Sequence, residues 1–484
     1  MAEKLKLGII TDCIAGLNLT EKFISRQSDI SVCKLNKGEF DEEYIEFTRA
    51  NSTKQADFLF DIDALLISIK PPRVILLVCK DFSQDSLRSL MEKLDRGDTL
   101  IDCCDMSYKE SALNAKMMAR AGISYLGTGF VYATDDIIKR PSFMISGDRN
   151  VYNKIKGIFG DVSASVDRMS CAAYVGPDGA GQFVKMVNSA IYYSYLELIS
   201  ETVYLLRYTL GLQPDEICDV LADFNSGEAS GFLVDTASDV IYRKDKKTGK
   251  YLIDIALDRV KYSVKDMWIG NAAFELGCPI PTILESVNMR FMSRCISERI
   301  ASSQLVEAIA PAKISFSEQK AFIESCRRTL YVGMICGLAQ GFSLLKRASD
   351  AYEWDMDILA VACTLQGGTF IQSDILFRII EAYSAKSKPD NILLSDYFSG
   401  IVNEYCPDVR KIAALCVNQG YPLPAISSIL QYIDCYRCRR LPTVSIQLIR
   451  DCIAENGFER LDGPGVFYGD WNSPDEIVSQ KKTK

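Results

Sequence analysis

The stretch GPDGAGQFVKMVNSAIYY, residues 176–193, starts as a glycine-rich turn and continues with the periodicity of an amphipathic helix. Lys185, Asn188, Ser189 and Tyr192 follow the i, i+3, i+4, i+7 spacing, which predicts that their side chains share one face. A lysine, an amide, a hydroxyl and a phenol make this face polar, whereas a helix face that packs into a core is apolar. In a chain without histidine, the polar face predicts a site for proton transfer.

The first third of the chain alternates between short apolar segments and helical segments. Strands are predicted at residues 5–10, 30–35, 64–69, 74–78, 99–101 and 123–126, and helices at 18–25, 86–94 and 111–121. This alternation favours a parallel, doubly wound sheet, which binds nucleotides at the carboxyl ends of its strands. We therefore expect an α/β, Rossmann-type N-terminal domain over residues 1–178.

After about Gly179 the pattern changes to long helical periods. Helices are predicted at residues 183–210, 264–276, 281–302, 317–349 and 390–419. Gly211, Gly277 and Gly420 each follow one of these runs, where a glycine commonly ends a helix. We expect a large all-α domain over residues 179–440 and a C-terminal tail over 441–484. The tail has little periodicity, so it is expected to pack on another surface such as a partner subunit.

The composition is that of a soluble globular protein, with 48% hydrophobic and 24% charged residues. A net charge of −8 argues against nucleic-acid binding, because no basic excess is available to displace counterions. No segment approaches the roughly 18 apolar residues of a membrane span, and the first residues do not resemble a signal peptide. Seventeen cysteines without framework spacing indicate free thiols, so we expect a cytoplasmic protein. No metal site is predicted, since the Cys435 and Cys438 pair lacks two further zinc ligands.

The chain resembles the 6-phosphogluconate dehydrogenase family, the decarboxylating enzymes of the oxidative pentose phosphate pathway. The resemblance runs almost from end to end and is carried by residues 72–78, 97–102, 183–187, 339–342 and 470–471. It implies a Rossmann-type domain, a large helical domain, and a tail that crosses into the second subunit of a homodimer. It also implies oxidation of a sugar acid at C3 by NADP, followed by decarboxylation.

The resemblance assigns roles to the polar helix face. Lys185 matches the general base of the family, a role in which a lysine must first lose its charge. Tyr192 stands where the family has an acidic glutamate, and a phenol can donate a proton there. The expected substrate-binding residues are Asn188, Tyr193, Lys265, Arg290 and Arg450, and the last of these is expected to reach over from the second subunit.

The coenzyme contacts implied by the resemblance are reduced. The glycine fingerprint of the family aligns with residues 11–16 and retains only Gly16. The family's contacts to the 2′-phosphate align with Asn36 and Lys37, where lysine offers a point charge without the bidentate fork of arginine. NADP is therefore expected at Gly16, Asn36 and Lys37.

Two functional hypotheses follow. The favoured one is a catalytically weak or inactive member of the family that keeps the dimer architecture and an anion site, as a homodimer or as a heterodimer with a relative. It rests on the missing glutamate, the reduced glycine fingerprint, and Asp105 in place of a substrate-binding asparagine. The alternative is active NADP-dependent oxidative decarboxylation of 6-phosphogluconate to ribulose 5-phosphate. Loss of one general acid typically slows a reaction by roughly 10²–10⁴.

Overall fold

The computed structural model describes residues 6–26, 29–35, 41–51, 56–80, 82–132, 140–160, 162–306, 314–472 and 479–480. The chain divides into two compact units, Met1–Ile429 and Leu430–Lys484. Among the described residues, no helix combines the length and the hydropathy that a transmembrane span requires.

The described elements are short strands in the first third and helices in most of the remainder. The strands are β1 (Leu7–Thr11), β2 (Ile30–Lys34), β3 (Ala56–Leu59), β4 (Val74–Val78), β5 (Thr99–Asp102), β6 (Ser124–Val131), β7 (Ser142–Ser146), β8 (Ser165–Val166), β9 (Met169–Ser170), β10 (Ala172–Gly176), β11 (Phe458–Glu459), β12 (Val466–Tyr468) and β13 (Ser479–Gln480). The helices are α1 (Ile14–Ser25), α2 (Asp41–Asn51), α3 (Ile62–Ser68), α4 (Gln84–Lys93), α5 (Tyr108–Ala121), α6 (Arg149–Gly160), α7 (Ala180–Tyr208), α8 (Pro214–Asn225), α9 (Phe232–Val240), α10 (Leu252–Ile255), α11 (Trp268–Glu275), α12 (Pro281–Met292), α13 (Ile296–Leu305), α14 (Gln319–Ala351), α15 (Ile358–Leu365), α16 (Ile375–Ser384), α17 (Asp396–Gln419), α18 (Pro424–Arg437) and α19 (Val444–Ala454). Short 3-10 turns lie at Val264–Met267, Phe316–Glu318 and Ile392–Leu394.

One eight-stranded sheet organises the N-terminal part, in the order β10-β7-β6-β5-β4-β1-β2-β3. The six strands from β6 to β3 are parallel, and β7 pairs antiparallel with β6. Strand order reverses between β1 and β4, which is the position where sheets of this kind bind ligands. The sheet and the helices that follow it confirm the predicted α/β Rossmann-type domain and large helical region.

Successive side chains along each strand point to opposite faces of the sheet, so apolar residues build a core on both faces. Ile9 contributes to the cluster that contains Phe23 of α1, and its neighbour Ile10 contributes to the cluster that contains Leu65 of α3 and Leu87 of α4. Strands buried on both faces read as continuous apolar runs, which explains why the β-pattern is visible in the sequence.

The strand predicted at residues 64–69 is wrong, because this segment lies in α3. The Asp61 side chain accepts a hydrogen bond from the Ala64 amide at 3.0 Å and caps the helix. Leu65 and Leu66 are buried, but a short, largely apolar run does not by itself distinguish a strand from a buried helical turn. The helix predicted at residues 281–302 is similarly divided into α12 and α13.

Helices α7 and α14 form the centre of the helical region and approach each other closely through glycine. A Cβ atom at Gly333 would lie 2.9 Å from Leu198, and one at Gly341 would lie 2.7 Å from Ile191. Both distances are too short for a side chain, so glycine at these positions lets the two helices pack closely. The predicted helix stops at Gly211, Gly277 and Gly420 have φ values of 74°, 59° and 62°, as a left-handed terminal residue requires.

The C-terminal unit is organised around one buried carboxylate. Asp451 of α19 accepts hydrogen bonds from the amides of Gly457 and Gly469 at 2.8 and 2.7 Å, and from the Trp471 indole at 2.9 Å. Strands β11, β12 and β13 form a small antiparallel sheet in this unit. The tail therefore has local structure that its weak periodicity does not predict.

Candidate functional site

A cavity of about 350 Å³ lies beside α7 and the segment that follows β5. Its lining residues come from α7, from the loop after β5, from the segment that leads into α11 and from the start of α11. They are Asp105, Met106, Gln182, Lys185, Met186, Ser189, Ala190, Tyr193, Ser263, Lys265, Asp266, Trp268 and Ile269. The cavity is thus bordered by the carboxyl end of the sheet on one side and by helices on the other.

The glycine-rich turn places the start of α7 directly against the sheet. A Cβ atom at Gly181 would lie 2.3 Å from the carbonyl oxygen of Met144, and one at Gly129 would lie 2.3 Å from the carbonyl oxygen of Gly181. Any side chain at these positions would collide with backbone atoms. The close approach therefore fixes the position of Lys185, which lies one helical turn further along α7.

The face of α7 that lines the cavity is rotated from the predicted one. Lys185 and Ser189, which were predicted to share one helix face, both line the cavity, and Tyr193 lines it in place of Tyr192. The Tyr192 ring packs on Phe370 with a centroid distance of 5.4 Å, and Asn188 is buried. Neither of these two is among the described lining residues. The structure thus brings Lys185, Tyr193 and Lys265 together, with Arg290 beside them.

Asp105 bridges two lysines inside the cavity. Lys185 Nζ lies 3.0 Å from one carboxylate oxygen, and Lys265 Nζ lies 2.6 Å from the other. Burial opposes ionisation of Asp105, but the two lysines outweigh it and hold the pKa of this carboxyl below its usual value. The cavity therefore contains its own anion at the end where Lys185 lies.

Gln182 presents a hydrogen-bond acceptor at the same end. Its Nε2 donates to the carbonyl oxygens of Cys104 and Thr128 at 2.9 and 3.1 Å. Both amide hydrogens are thereby used, which fixes the orientation of the group. Within the described part of the chain, the buried Oε1 atom has no partner. A ligand that donates a hydrogen bond would satisfy it.

A second charged group, Arg290, adjoins the cavity beside two of its lining residues, Tyr193 and Asp266. The Arg290 guanidinium lies 3.7 Å from the centre of the Tyr193 ring, and Nη1 lies 3.7 Å from Asp266 Oδ2. Burial, followed by the hydrogen bond to Asp266, raises the pKa of Tyr193, so its hydroxyl remains a donor. Burial also raises the pKa of Glu197, which lies near Arg290, to about 7. Arg290 is thus held in place by aromatic stacking and by a buried carboxylate.

The site between β1 and β4, where strand order reverses, offers backbone N–H groups that could bind a dinucleotide. Asp12 accepts a hydrogen bond from the Lys80 amide at 2.8 Å, and Cys13 Sγ donates to the Val78 carbonyl at 3.4 Å. Among the described residues, no side chain caps the N-terminus of α1. Its first backbone N–H groups can therefore meet a pyrophosphate, while the Asp12 carboxylate is occupied by a backbone donor.

Gly16 is enclosed by Thr11, since a Cβ atom at Gly16 would lie 2.0 Å from Thr11 Oγ1. The single remaining glycine of the predicted fingerprint is therefore required by packing in this chain. The other two predicted coenzyme contacts, Asn36 and Lys37, lie outside the described residues. Arg450 is exposed on α19 of the C-terminal unit.

Two residues of the site, Gln182 and Asp266, were not predicted from the sequence. Gln182 precedes Lys185 by three residues, so the helical spacing that selected Lys185 also places Gln182 on its face. Asp266 and Ser263 form a capping box, and the Ser-x-x-Asp spacing that accompanies such boxes was available as a signal.

Comparison with known proteins gives concordant matches over almost the whole chain. Residues 6–176 match the model of the NAD binding domain of 6-phosphogluconate dehydrogenase, and residues 181–471 match that of its C-terminal domain. The NADP(+)-dependent, decarboxylating 6-phosphogluconate dehydrogenase of Bacillus subtilis is 35% identical over 470 residues, which cover 97% of this chain and 99% of that protein. The decarboxylating enzyme of Escherichia coli is 32% identical over 474 residues, with the same coverage.

A solved structure agrees with these matches. The Plasmodium falciparum 6-phosphogluconate dehydrogenase was determined in its apo form, with its cofactor NADP+ and with its substrate 6-phosphogluconate. It superposes on this chain with a TM-score of 0.90 at 25% sequence identity. The match covers 96% of this chain and 100% of the Plasmodium falciparum chain.

Proposed function

This chain belongs to the 6-phosphogluconate dehydrogenase family, and on that premise we propose that it catalyses NADP-dependent oxidative decarboxylation of 6-phosphogluconate. The observation that carries the proposal is the cavity that holds Lys185, Lys265 and Tyr193 with Arg290 beside them. The names of relatives that match over 97% of the chain favour this active reading over the expectation of a weak or inactive protein.

In this proposal the two ends of the cavity divide the work. Arg290 pairs with the substrate phosphate, and the Tyr193 hydroxyl beside it turns from Asp266 to donate to the phosphate when the ligand arrives. At the other end, Lys185 accepts the proton of the substrate hydroxyl that is oxidised. A lysine can do this only as a neutral amine, so its contact with Asp105 has to be released when substrate arrives.

NADP, when bound, supplies the hydride acceptor. The N-terminal turn of α1, which contains Gly16, would hold its pyrophosphate, and the family resemblance assigns Asn36 and Lys37 to its 2′-phosphate. Tyr192 is the proton donor to the enediol carbon expected from the sequence, but its ring packs on Phe370 and it is not among the described lining residues, so we expect it to contribute little to this step. Its pKa is raised by burial, so the phenol keeps its proton at neutral pH.

A second candidate function is binding of the phosphorylated sugar acid without appreciable turnover. The specific observation in its favour is the ion pair between Lys185 and Asp105 at 3.0 Å. This carboxylate attracts the ammonium group at the position where catalysis needs a neutral amine. In this reading the chain keeps an anion site that serves regulation or assembly with a relative.

One experiment distinguishes the two candidates. The purified full chain is mixed with NADP and 6-phosphogluconate, and the rise of the NADPH absorbance band is followed together with released carbon dioxide. Equal amounts of both products are expected. Calorimetric titration with each ligand separately completes the test, because binding of both without NADPH supports the second candidate. Binding of neither ligand would contradict both candidates.

We further propose that the chain works as a dimer, with itself or with a relative, and that its functional division follows residues 1–178, 179–440 and 441–484. Helix α19 supports this, since Ile446, Ile449 and Ile453 are 53%, 56% and 78% exposed and Arg450 lies on the same helix. Light scattering on the purified chain measures its mass in solution, and a monomer would contradict the proposal. The seventeen cysteines, which lack the spacing of a disulfide framework, support a reducing, cytoplasmic location.

A further inference from the structure

We propose that Asp105 determines which ligands bind. Its carboxylate pairs with the two lysines that a ligand carboxylate would otherwise meet, so the cavity also accepts phosphorylated polyols that have no carboxylate. This inference rests on the proposed phosphate subsite at Arg290. It extends the ligand class from a phosphorylated sugar acid to a phosphate monoester whose other end is uncharged.

The first support is the charge balance at the end of the cavity where Lys185 lies. Lys185 and Lys265 both pair with Asp105, at 3.0 and 2.6 Å. A ligand carboxylate that entered here would have to compete with a carboxylate that is covalently part of the chain. Like charges brought together in a partly buried site repel each other. An uncharged hydroxyl group meets no such competition.

The second support is the charge balance of the cavity as a whole. The cavity and its adjoining arginine contain three cations, from Lys185, Lys265 and Arg290, and two carboxylates, from Asp105 and Asp266. Glu197 lies near Arg290, and burial raises its pKa to about 7, so it adds at most one further negative charge. At most one positive charge is therefore in excess, which suits one phosphate group better than a phosphate and a carboxylate together. Asp102 lies behind Lys185 outside the cavity lining, and burial raises its pKa.

The third support is an unpartnered hydrogen-bond acceptor at the end of the cavity where Lys185 lies. Gln182 Oε1 is buried without a partner among the described residues, and its orientation is fixed by two donated bonds. This acceptor needs a donor, and a ligand hydroxyl is one whereas a carboxylate is not. The cavity therefore combines a phosphate subsite, a hydroxyl acceptor and an end that is already neutralised.

The test compares two ligands that differ only at the end in question. 6-Phosphogluconate has a carboxylate at C1, and glucitol 6-phosphate has a hydroxymethyl group there. Both are titrated calorimetrically into the full chain and into Asp105→Asn. The substitution is expected to tighten binding of 6-phosphogluconate by about tenfold or more, while the affinity for glucitol 6-phosphate changes by less than about twofold.

Two further variants keep the test sharp. Glu275→Gln removes a carboxylate that pairs with Lys109 at 2.6 Å outside the cavity lining, and it should leave both affinities unchanged. Lys265→Met in the Asp105→Asn background should reverse the gain for 6-phosphogluconate, because it removes one of the released cations. Thermal unfolding of each variant verifies that the fold is retained.

The outcomes separate this inference from the proposed function. If 6-phosphogluconate binds, but Asp105→Asn changes the affinity for both ligands equally or for neither, Asp105 does not select ligands by charge and the inference is overturned. If the unsubstituted chain binds 6-phosphogluconate but not glucitol 6-phosphate, the wider ligand class is overturned. If neither ligand binds to any variant, the phosphate subsite fails, and with it the proposed function.

Discussion

The two faces of α7 are built in opposite ways. Towards α14 the helix presents small and apolar residues to glycines, and the contacts pair Val187 and Ile191 with Gly341, Ser194 with Gly337, and Leu198 with Gly333. Towards the cavity it presents Gln182, Lys185, Ser189 and Tyr193. One face of α7 thus packs against α14, and the other face, part of a turn away, lines the cavity. Substitutions on the α14 face should alter the free energy of unfolding, and substitutions on the cavity face should alter binding and turnover.

The largest effect is expected at Lys185. Lys185→Ala removes the proposed base and should lower the rate of NADPH formation by roughly 10³, with little change in the unfolding midpoint. The matched control is Lys109→Ala, which removes an exposed lysine that pairs with Glu275 away from the cavity. An unchanged rate in Lys185→Ala would contradict the assignment of the base.

On the packing face, Gly341→Ala should be the most damaging of the alanine substitutions. Its Cβ atom would lie 2.7 Å from Ile191 Cδ1 and 3.2 Å from Val187 Cγ1, and such overpacking typically costs about 1–3 kcal/mol. The control is Gly400→Ala in α17, where nothing lies within 4 Å of the new Cβ atom. It should be neutral or stabilise the helix by up to ~1 kcal/mol. Denaturant unfolding measures both, and equal effects would refute the close helix contact.

A pH effect is expected further along the packing face of α7. Burial raises the pKa of Glu201 from 4.5 to about 8, although the amides of Ala425 and Ile426 donate to it. The folded chain then binds more protons than the unfolded chain between these values. Stability contributed by Glu201 is therefore greatest below pH 4.5 and decreases as the pH rises towards 8. The slope for one group is at most ~1.4 kcal/mol per pH unit.

Glu201→Gln tests this dependence. The variant cannot ionise, so its free energy of unfolding should vary less with pH between 5 and 8 than that of the unsubstituted chain. Glu197, whose pKa burial raises to about 7, titrates in the same direction and leaves a residual slope. A slope that Glu201→Gln does not change would show that Glu201 is ionised at both ends of this range.

The smallest effect is expected at Tyr192, on the border between the two faces. Its ring packs on Phe370, and the described lining residues include Tyr193 instead. We expect Tyr192→Phe to change the rate of NADPH formation by less than about threefold, well below the roughly 10²–10⁴ lost with a working general acid. A loss in the larger range would establish Tyr192 as the proton donor.

The fold was accessible from the sequence because its signals are local. Continuous apolar strands, helical periods and terminal glycines such as Gly211 and Gly420 each act within a few residues. The segment at residues 64–69 shows the limit of this reasoning, since its helix begins at the Asp61 cap and its apolar content alone does not reveal the helix.

The site was only partly accessible from the sequence. Helical spacing placed Lys185 and Ser189 on one face, but it could not fix whether Tyr192 or Tyr193 shares that face. The rotation is set by how the glycine-rich turn seats α7 against the sheet, which is a tertiary contact. Asp105 and Lys265 are separated by 160 positions in the chain, so only the folded structure brings their charges together.

The contact between Gly16 and Thr11 has an evolutionary consequence. With Thr11 Oγ1 2.0 Å from the place of a Cβ atom at residue 16, a larger residue at one position requires a smaller one at the other. The two positions should therefore covary among related chains, with threonine at the end of the first strand inherited together with glycine five residues later.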